Sequence, residues 1–269
     1  MLERLIAAVV ALLIVLPTII YGGVIGFFVL GVVIVLIGTQ ELWNMFQAKY
    51  SFPAQLRWFL HFVYVTVFVS MFIWPSASMA IIMVALLVLW LIGLFGVPDT
   101  DLGNIWASVS TFGLMYLPFL MNTFVQVRSI PDTGLYWLFW TMVLTWSADT
   151  GAYFAGRFLG KHKLFPRVSP KKTIEGVVGG VLLSAVVSVV FCINWLPMVT
   201  MPYAVGFGVL LAGLSVVGDL VESMMKRSFG VKDSGTIMPG HGGVIDRLDS
   251  LLFTFPSTWL IVHLVYGLV

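Results

Sequence analysis

Between Ser215 and Asp249 the chain carries five carboxylates (Asp219, Glu222, Asp233, Asp246, Asp249), four cations (Lys226, Arg227, Lys232, Arg247) and His241. Asp219, Glu222, Ser223 and Lys226 follow the i, i+3, i+4, i+7 spacing that places side chains on one face of a helix. Asp246 and Asp249 stand three apart where the next apolar run begins, and are expected to share a helix face. Carboxylates from two helix ends offer the hard oxygen ligands that suit Mg2+. The intervening Ser234–Gly243 stretch, SGTIMPGHGG, is too rich in glycine for a helix. Its backbone can approach a ligand closely and turn N–H groups toward phosphate oxygens. Acidic ligands beside fixed cations are what a nucleoside triphosphate requires: a divalent ion neutralises the phosphates, and Lys or Arg holds charge developing on pyrophosphate.

Two further segments carry groups of the same kind. In WSADTGAYFAGRFLGK, Asp149 lies late in an apolar run, where a carboxylate is costly and therefore a candidate for function or for a salt bridge to Arg157. The stretch Lys161–Gly176, KHKLFPRVSPKKTIEG, gathers Lys161, Lys163, Arg167, Lys171 and Lys172. Such a cluster attracts anionic headgroups by about 1 kcal/mol per cation. Ser169-Pro170, Lys171-Lys172 and Thr173-x-Glu175 also read as a helix start, which favours phosphate.

The elements that position these groups follow from composition. Of 269 residues, 60% are hydrophobic and only 10% charged, with mean hydropathy +1.04. A soluble domain carries about a quarter charged residues, so the bilayer is the solvent here. The expectation is an all-α polytopic membrane protein of about nine transmembrane helices: Leu5–Leu16, Ile19–Ile37, Leu56–Ile73, Ala77–Phe95, Ile105–Leu120, Leu135–Ala155, Ile174–Trp195, Tyr203–Val221 and Leu251–Leu268. With Arg4 and the N-terminus in the cytoplasm, single crossings put Lys49 and Arg57, then Arg157 to Lys172, then Lys226 to Arg247 on the cytoplasmic side and leave only Arg128 outside, a distribution that agrees with the positive-inside rule. Residues 1–133 read as N-terminal transmembrane helices, and 134–269 as a catalytic transmembrane region with cytoplasmic loops at 156–175 and 222–248.

Other features read as structural. The N-terminus resembles a signal peptide but lacks a small-residue cleavage site before Pro17, so it is expected to stay as a first helix. Cys192, the single cysteine, excludes an intrachain disulfide and a cysteine zinc site. Trp and Tyr near span ends form an interfacial belt. Gly22/Gly26 and Gly176/Gly180 have the spacing of close helix contacts. His61 and His263 are packing histidines, and Asp99 and Asp101 lie in a solvated turn with Asp101 or Asn104 as a helix cap.

Ser223-x-x-Lys226-Arg227, then Lys232-Asp233-Ser234-Gly235, then Pro239-Gly240-His241-Gly242-Gly243-x-x-Asp246-Arg247-x-Asp249 resembles the signature of phosphatidate cytidylyltransferases (CDP-diacylglycerol synthases). Met238 stands where that family usually has Ile, Leu or Phe. The resemblance extends more loosely to Ser147-x-Asp149-x-Gly151-Ala152-Tyr153 and Ser169–Gly176, whereas the part before about Phe139 matches only in hydropathy. It implies that CTP and phosphatidate give CDP-diacylglycerol and pyrophosphate with Mg2+, on a two-cation centre held by Asp219 and Asp246, with Asp249 a weaker third ligand. Lys226, Arg227, Lys232 and Arg247 become candidates for the triphosphate or lipid phosphate, and Lys171 and Lys172 for the lipid headgroup. His241 would donate to a phosphate oxygen or serve as a structural histidine of the loop, while Asp149 would support the metal or the basic loop. Asp233 and Ser223 belong to the same signature. The implied partners are CTP, phosphatidate, the bilayer and a second copy in a homodimer, with no nucleic acid, at a cell inner membrane with the site facing the cytoplasm.

Other classes fit less well. An ion-coupled transporter would place carboxylates near the midplane between repeated halves, and no repeat is visible. A CTP-dependent lipid kinase would have to deprotonate an alcohol, and the full signature argues against it. A lipid-binding scaffold needs the cations but not the carboxylates.

Overall fold

The computed structural model describes residues 13–237, 240 and 242–268. Most of the expected span Leu5–Leu16, together with Met238, Pro239 and His241, lies outside these. The protein is an all-α membrane protein in two compact units, Met1–Val125 with Ser228–Asp246, and Gln126–Arg227 with Arg247–Val269. Among the described residues six helices are long and apolar enough to cross a membrane.

The first unit contains α1 (Gly23–Lys49), α2 (Gln55–Ile73), α3 (Ser78–Gly96) and α4 (Thr100–Leu114). A π-turn at Met115–Phe119 leads from α4 into α5 (Leu120–Arg128). The widened turn holds Pro118, which has no N–H to give the ladder. The cap of α4 is Asp99, whose Oδ1 accepts from the Leu102 amide at 2.7 Å, rather than the expected Asp101 or Asn104. The apolar period begins only at Ile105, so it hides the polar first turn. Deep between α2 and α4, the Tyr64 hydroxyl donates to the Ser110 carbonyl at 2.6 Å.

In the second unit, α6 (Gly134–Leu159) turns through a two-stranded antiparallel hairpin, β1 (Lys163–Phe165) and β2 (Ser169–Thr173), into α7 (Ile174–Trp195). There follow α8 (Met201–Ser228), the single turn α9 (Ile245–Leu248), which straddles the unit boundary, and α10 (Leu251–Ile261). Lipid supplies no hydrophobic drive between helices, so close packing and interhelical hydrogen bonds must do it. Trp140 Nε1 donates to Ser188 Oγ, which donates to the Ala204 carbonyl at 2.7 Å. Thr141 meets Thr258, and Thr145 meets Thr254, between α6 and α10.

Helices α6 and α7 touch backbone to backbone. A Cβ on Gly180 would lie 2.5 Å from the Ala148 carbonyl oxygen, and one on Gly176 2.9 Å from that of Ala152. The expected Gly176/Gly180 contact is therefore present, while among the described residues Gly22 meets Thr18 and Gly26, and Gly26 meets Thr18, all on the same segment. A Gly180→Val substitution is expected to destabilise by about 1–3 kcal/mol or more, lowering the unfolding temperature in detergent. The control Gly206→Ala, with open space around the added Cβ, is expected to hold or raise it. Equal behaviour of the two variants would contradict this packing.

Candidate active site

At 28 residues, α8 is about 42 Å long at 1.5 Å per residue, well beyond the roughly 30 Å hydrocarbon core. The expected polar stripe forms on its final turns. Ser223 Oγ donates to Asp219 Oδ1 at 3.1 Å, and Lys226 Nζ pairs with Glu222 Oε2 at 2.5 Å. Glu222 is 1% exposed and Lys226 9%, so this pair is buried, whereas Arg227 on the next position is exposed.

Backbone approach brings Asp219 beside a second carboxylate. A Cβ on Gly218 would stand 2.6 Å from the Asp249 carbonyl oxygen, and Ser250 Oγ donates to the Ser215 carbonyl at 3.1 Å. The helix expected to carry Asp246 and Asp249 on one face is instead broken. After α9 the chain turns at 249–250 before α10, so Asp246 sits in a helical turn and Asp249 outside it. Asp249 Oδ1 accepts from the Ser250 amide at 2.6 Å. Burial, and then the negative charges of Asp219 and Asp149, push its carboxyl up to about 7, against the pull of the Ser250 N–H and Lys226. Arg247 is exposed.

The expected helix start is present at Thr173, but the basic residues before it form a strand. Lys171 and Lys172 lie in β2, and α7 begins only at Ile174, with Thr173 Oγ1 accepting from the Gly176 amide at 3.1 Å. Ser169-Pro170 begins the strand because a proline can open an edge strand without needing an N–H. Glu175 folds the hairpin back, accepting from the Lys161 and His162 amides and meeting His162 Nδ1 at 2.6 Å. Lys172 Nζ then reaches Asp219 Oδ2 at 2.6 Å. A half-open cleft of about 510 Å3 results, lined by Asp149, Tyr153, Arg157, Lys171, Lys172 and Asp219 among others. Arg157 donates to the Tyr153 hydroxyl at 2.7 Å.

Asp246 belongs to the first unit and is 8% exposed. Its Oδ2 accepts from the Ser234 amide (2.8 Å), Ser234 Oγ (2.9 Å) and the Gly243 amide (2.7 Å). Lys232 and Asp233 are exposed. One residue is missing from the sequence reading: Glu41, near the end of α1, 4% exposed, with Ser234 Oγ, Val244 N and Ile245 N on its oxygens. The signal was available, since a carboxylate following an apolar run is expensive in a membrane. Its neighbours at helical spacing, Gly38, Asn44 and Met45, carry no charge that would mark a site.

The profile of the cytidylyltransferase family matches residues 2–265. This chain belongs to that family. It is 40% identical over 154 residues to the phosphatidate cytidylyltransferase of Bacillus subtilis (strain 168), an alignment covering 57% of each protein. With the phosphatidate cytidylyltransferase of Staphylococcus haemolyticus (strain JCSC1435) it is 34% identical over 260 residues, 94% of this chain and 95% of the relative. With that of Staphylococcus aureus (strain COL) the figure is 32% over 272 residues, 94% and 95% of the two.

Among the described residues no three His, Cys, Asp or Glu side chains are gathered closely enough to cage a metal alone. Burial, and after it the negative charges of Asp219 and Asp149, raise Asp249, and a divalent ion would relieve only the second of these. In metal-free solution, folded Asp249 holds a proton that the unfolded chain releases near pH 4, so folding stability falls as pH rises from about 4 to about 7. Asp249→Asn is expected to flatten that fall when unfolding temperature is followed across the window in detergent with a chelator. An undiminished slope would clear Asp249 of responsibility.

Proposed function

We propose that this protein is an integral-membrane nucleotidyltransferase that converts CTP and phosphatidate into CDP-diacylglycerol and pyrophosphate, in phospholipid synthesis. The observation that carries the reading is the cleft where Lys171, Lys172 and Arg157 line a wall with Asp149 and Asp219. Cations there suit a lipid phosphate, and acids suit a divalent ion. A phosphatidate oxygen forms a bond to the CTP α-phosphorus as the bond from that phosphorus to the bridging oxygen breaks, and pyrophosphate departs. The lipid phosphate is already ionised, so positioning and charge neutralisation matter more than a general base.

Lys171 and Lys172 hold the lipid headgroup, while Lys226, Arg227, Lys232 and Arg247 serve the triphosphate. His241 and Asp233 are assigned to the nucleotide side by their place in the signature, and Ser223 steadies Asp219. Asp219 and Asp246 are the residues that would hold Mg2+, with a second cation beside it and Asp249 as a weaker ligand. When bound, the ion neutralises triphosphate charge. Asp219 would then share its charge between the ion and Lys172. The cytoplasmic concentration of CTP and the run of loop cations both favour a site on the cytoplasmic face of a cell inner membrane, with the lipid entering laterally. A second copy of the chain is the partner expected in a homodimer.

The decisive assay combines purified protein, labelled CTP, phosphatidate and Mg2+; a folded protein that forms no CDP-lipid ends the proposal. Asp246→Asn is expected to lose transfer by about a hundredfold or more and to shift the Mg2+ requirement. Lys171→Ala/Lys172→Ala is expected to raise the phosphatidate KM by about ten- to thirtyfold while leaving the CTP KM near the parent value. An unchanged phosphatidate KM removes the headgroup assignment.

A further inference from the structure

We propose that Glu41 is a positioning residue for cytidylyl transfer, holding both ends of the glycine-rich loop and through them Asp246. The proposal rests on the nucleotidyltransferase reading for its catalytic consequence, and on geometry for the contact itself. Glu41 sits on α1, almost fully buried, where an ionised carboxylate is tolerated only with its oxygens hydrogen-bonded. Oε1 accepts from the Val244 amide at 2.8 Å; Oε2 accepts from the Ile245 amide and from Ser234 Oγ, each at 3.0 Å. Ser234 opens the glycine-rich stretch, and Val244 and Ile245 close it.

The glycines at the two ends make room for this side chain. At Gly235 the three atoms nearest an added Cβ all belong to Glu41, with Oε1 at 2.6 Å. At Gly243 an added Cβ would collide with Ser234 Oγ and the Glu41 carboxylate. Glycine at these positions thus serves the approach of an internal carboxylate, a different use from the approach of phosphate that composition alone suggests.

The two acids are interleaved. Glu41 takes the amides of Val244 and Ile245; Asp246 takes those of Ser234 and Gly243. The Ser234 hydroxyl lies within reach of both carboxylates yet has one hydrogen to give, so the amides bear most of the hold. Below this point α1 grips the loop's base as well: Phe46 packs on Phe229, and Lys49 Nζ donates to the Ser228 carbonyl at 2.9 Å. Asp246 is the residue directly after Ile245, so its placement is set by a bond that ends on Glu41.

A carboxylate is required in particular. Glutamine would turn an NH2 donor against an N–H donor on one side. Aspartate is one methylene too short to span the same donors.

The test compares the parent with Glu41→Gln, Glu41→Ala, Gly235→Ala and Glu41→Ala/Gly235→Ala in detergent. Glu41→Gln is expected to speed hydrogen exchange at the Val244 and Ile245 amides by about tenfold or more. It should also lower kcat by about a hundredfold and raise the half-saturating Mg2+ concentration, with the phosphatidate KM unchanged. Gly235→Ala is expected to be harmful with Glu41 present and nearly silent once Glu41 is alanine, a coupling that two independent losses of stability would not show. Unchanged exchange at 244–245, additive costs in the pair, or activity lost only in step with folded protein would each overturn the proposal. Should the parent make no CDP-lipid, the reaction assignment falls, and exchange and coupling still judge the Glu41 contact.

Discussion

A carboxylate placed in or against a bilayer cannot rely on water, so each must find its answer within the chain. This protein uses two kinds of answer. Glu41 and Asp246 are met chiefly by backbone amides of a loop, which can move only if the chain moves. Asp219 and Glu222 are met by the ends of Lys172 and Lys226, whose flexible stems let a partner be exchanged. The first kind builds a fixed frame. The second leaves cations that can turn to phosphate when the acids they serve are satisfied by something else. Asp249 is the least well answered, and its raised proton affinity records that shortage.

Helix packing supplies the other half of the design. Small residues let α6 and α7 come into backbone contact along Gly176 and Gly180, and Gly218 lets α8 reach the turn holding Asp249. Hydroxyl pairs such as Thr141 with Thr258 tie α10 to α6 without exposing unpaired donors to lipid. Such contacts are short-ranged and stiff, so side chains carried on them are set to within the tolerance of a backbone rather than of a loop.

Legibility in the sequence followed the range of the interaction. The stripe from Asp219 to Lys226 was readable because helical spacing is local, and Ser223 does meet Asp219 as that spacing demands. Hydropathy marked the apolar helices, although it started α4 too late by missing a polar first turn capped by Asp99. The basic segment looked like a helix start because Thr173-x-Glu175 is one; what spacing could not show is that Lys171 and Lys172 pair into a strand just before it. The cost of Glu41 after an apolar run was legible, but its partners lie 193 to 204 residues away, and no local pattern encodes a contact of that reach.

That difference in reach also orders the assembly of the protein. The hairpin bearing Lys171 and Lys172 is fastened by Glu175 to amides only 13 and 14 residues back, so it can close soon after it leaves the ribosome. Glu41 emerges 193 to 204 residues ahead of the groups that donate to it. Contacts of high sequence separation form late because loop-closure entropy is met before they give any return. The lysines of the cleft can therefore be in place while the glycine loop is still unwritten, and the fastening of that loop to α1 is a late step in folding.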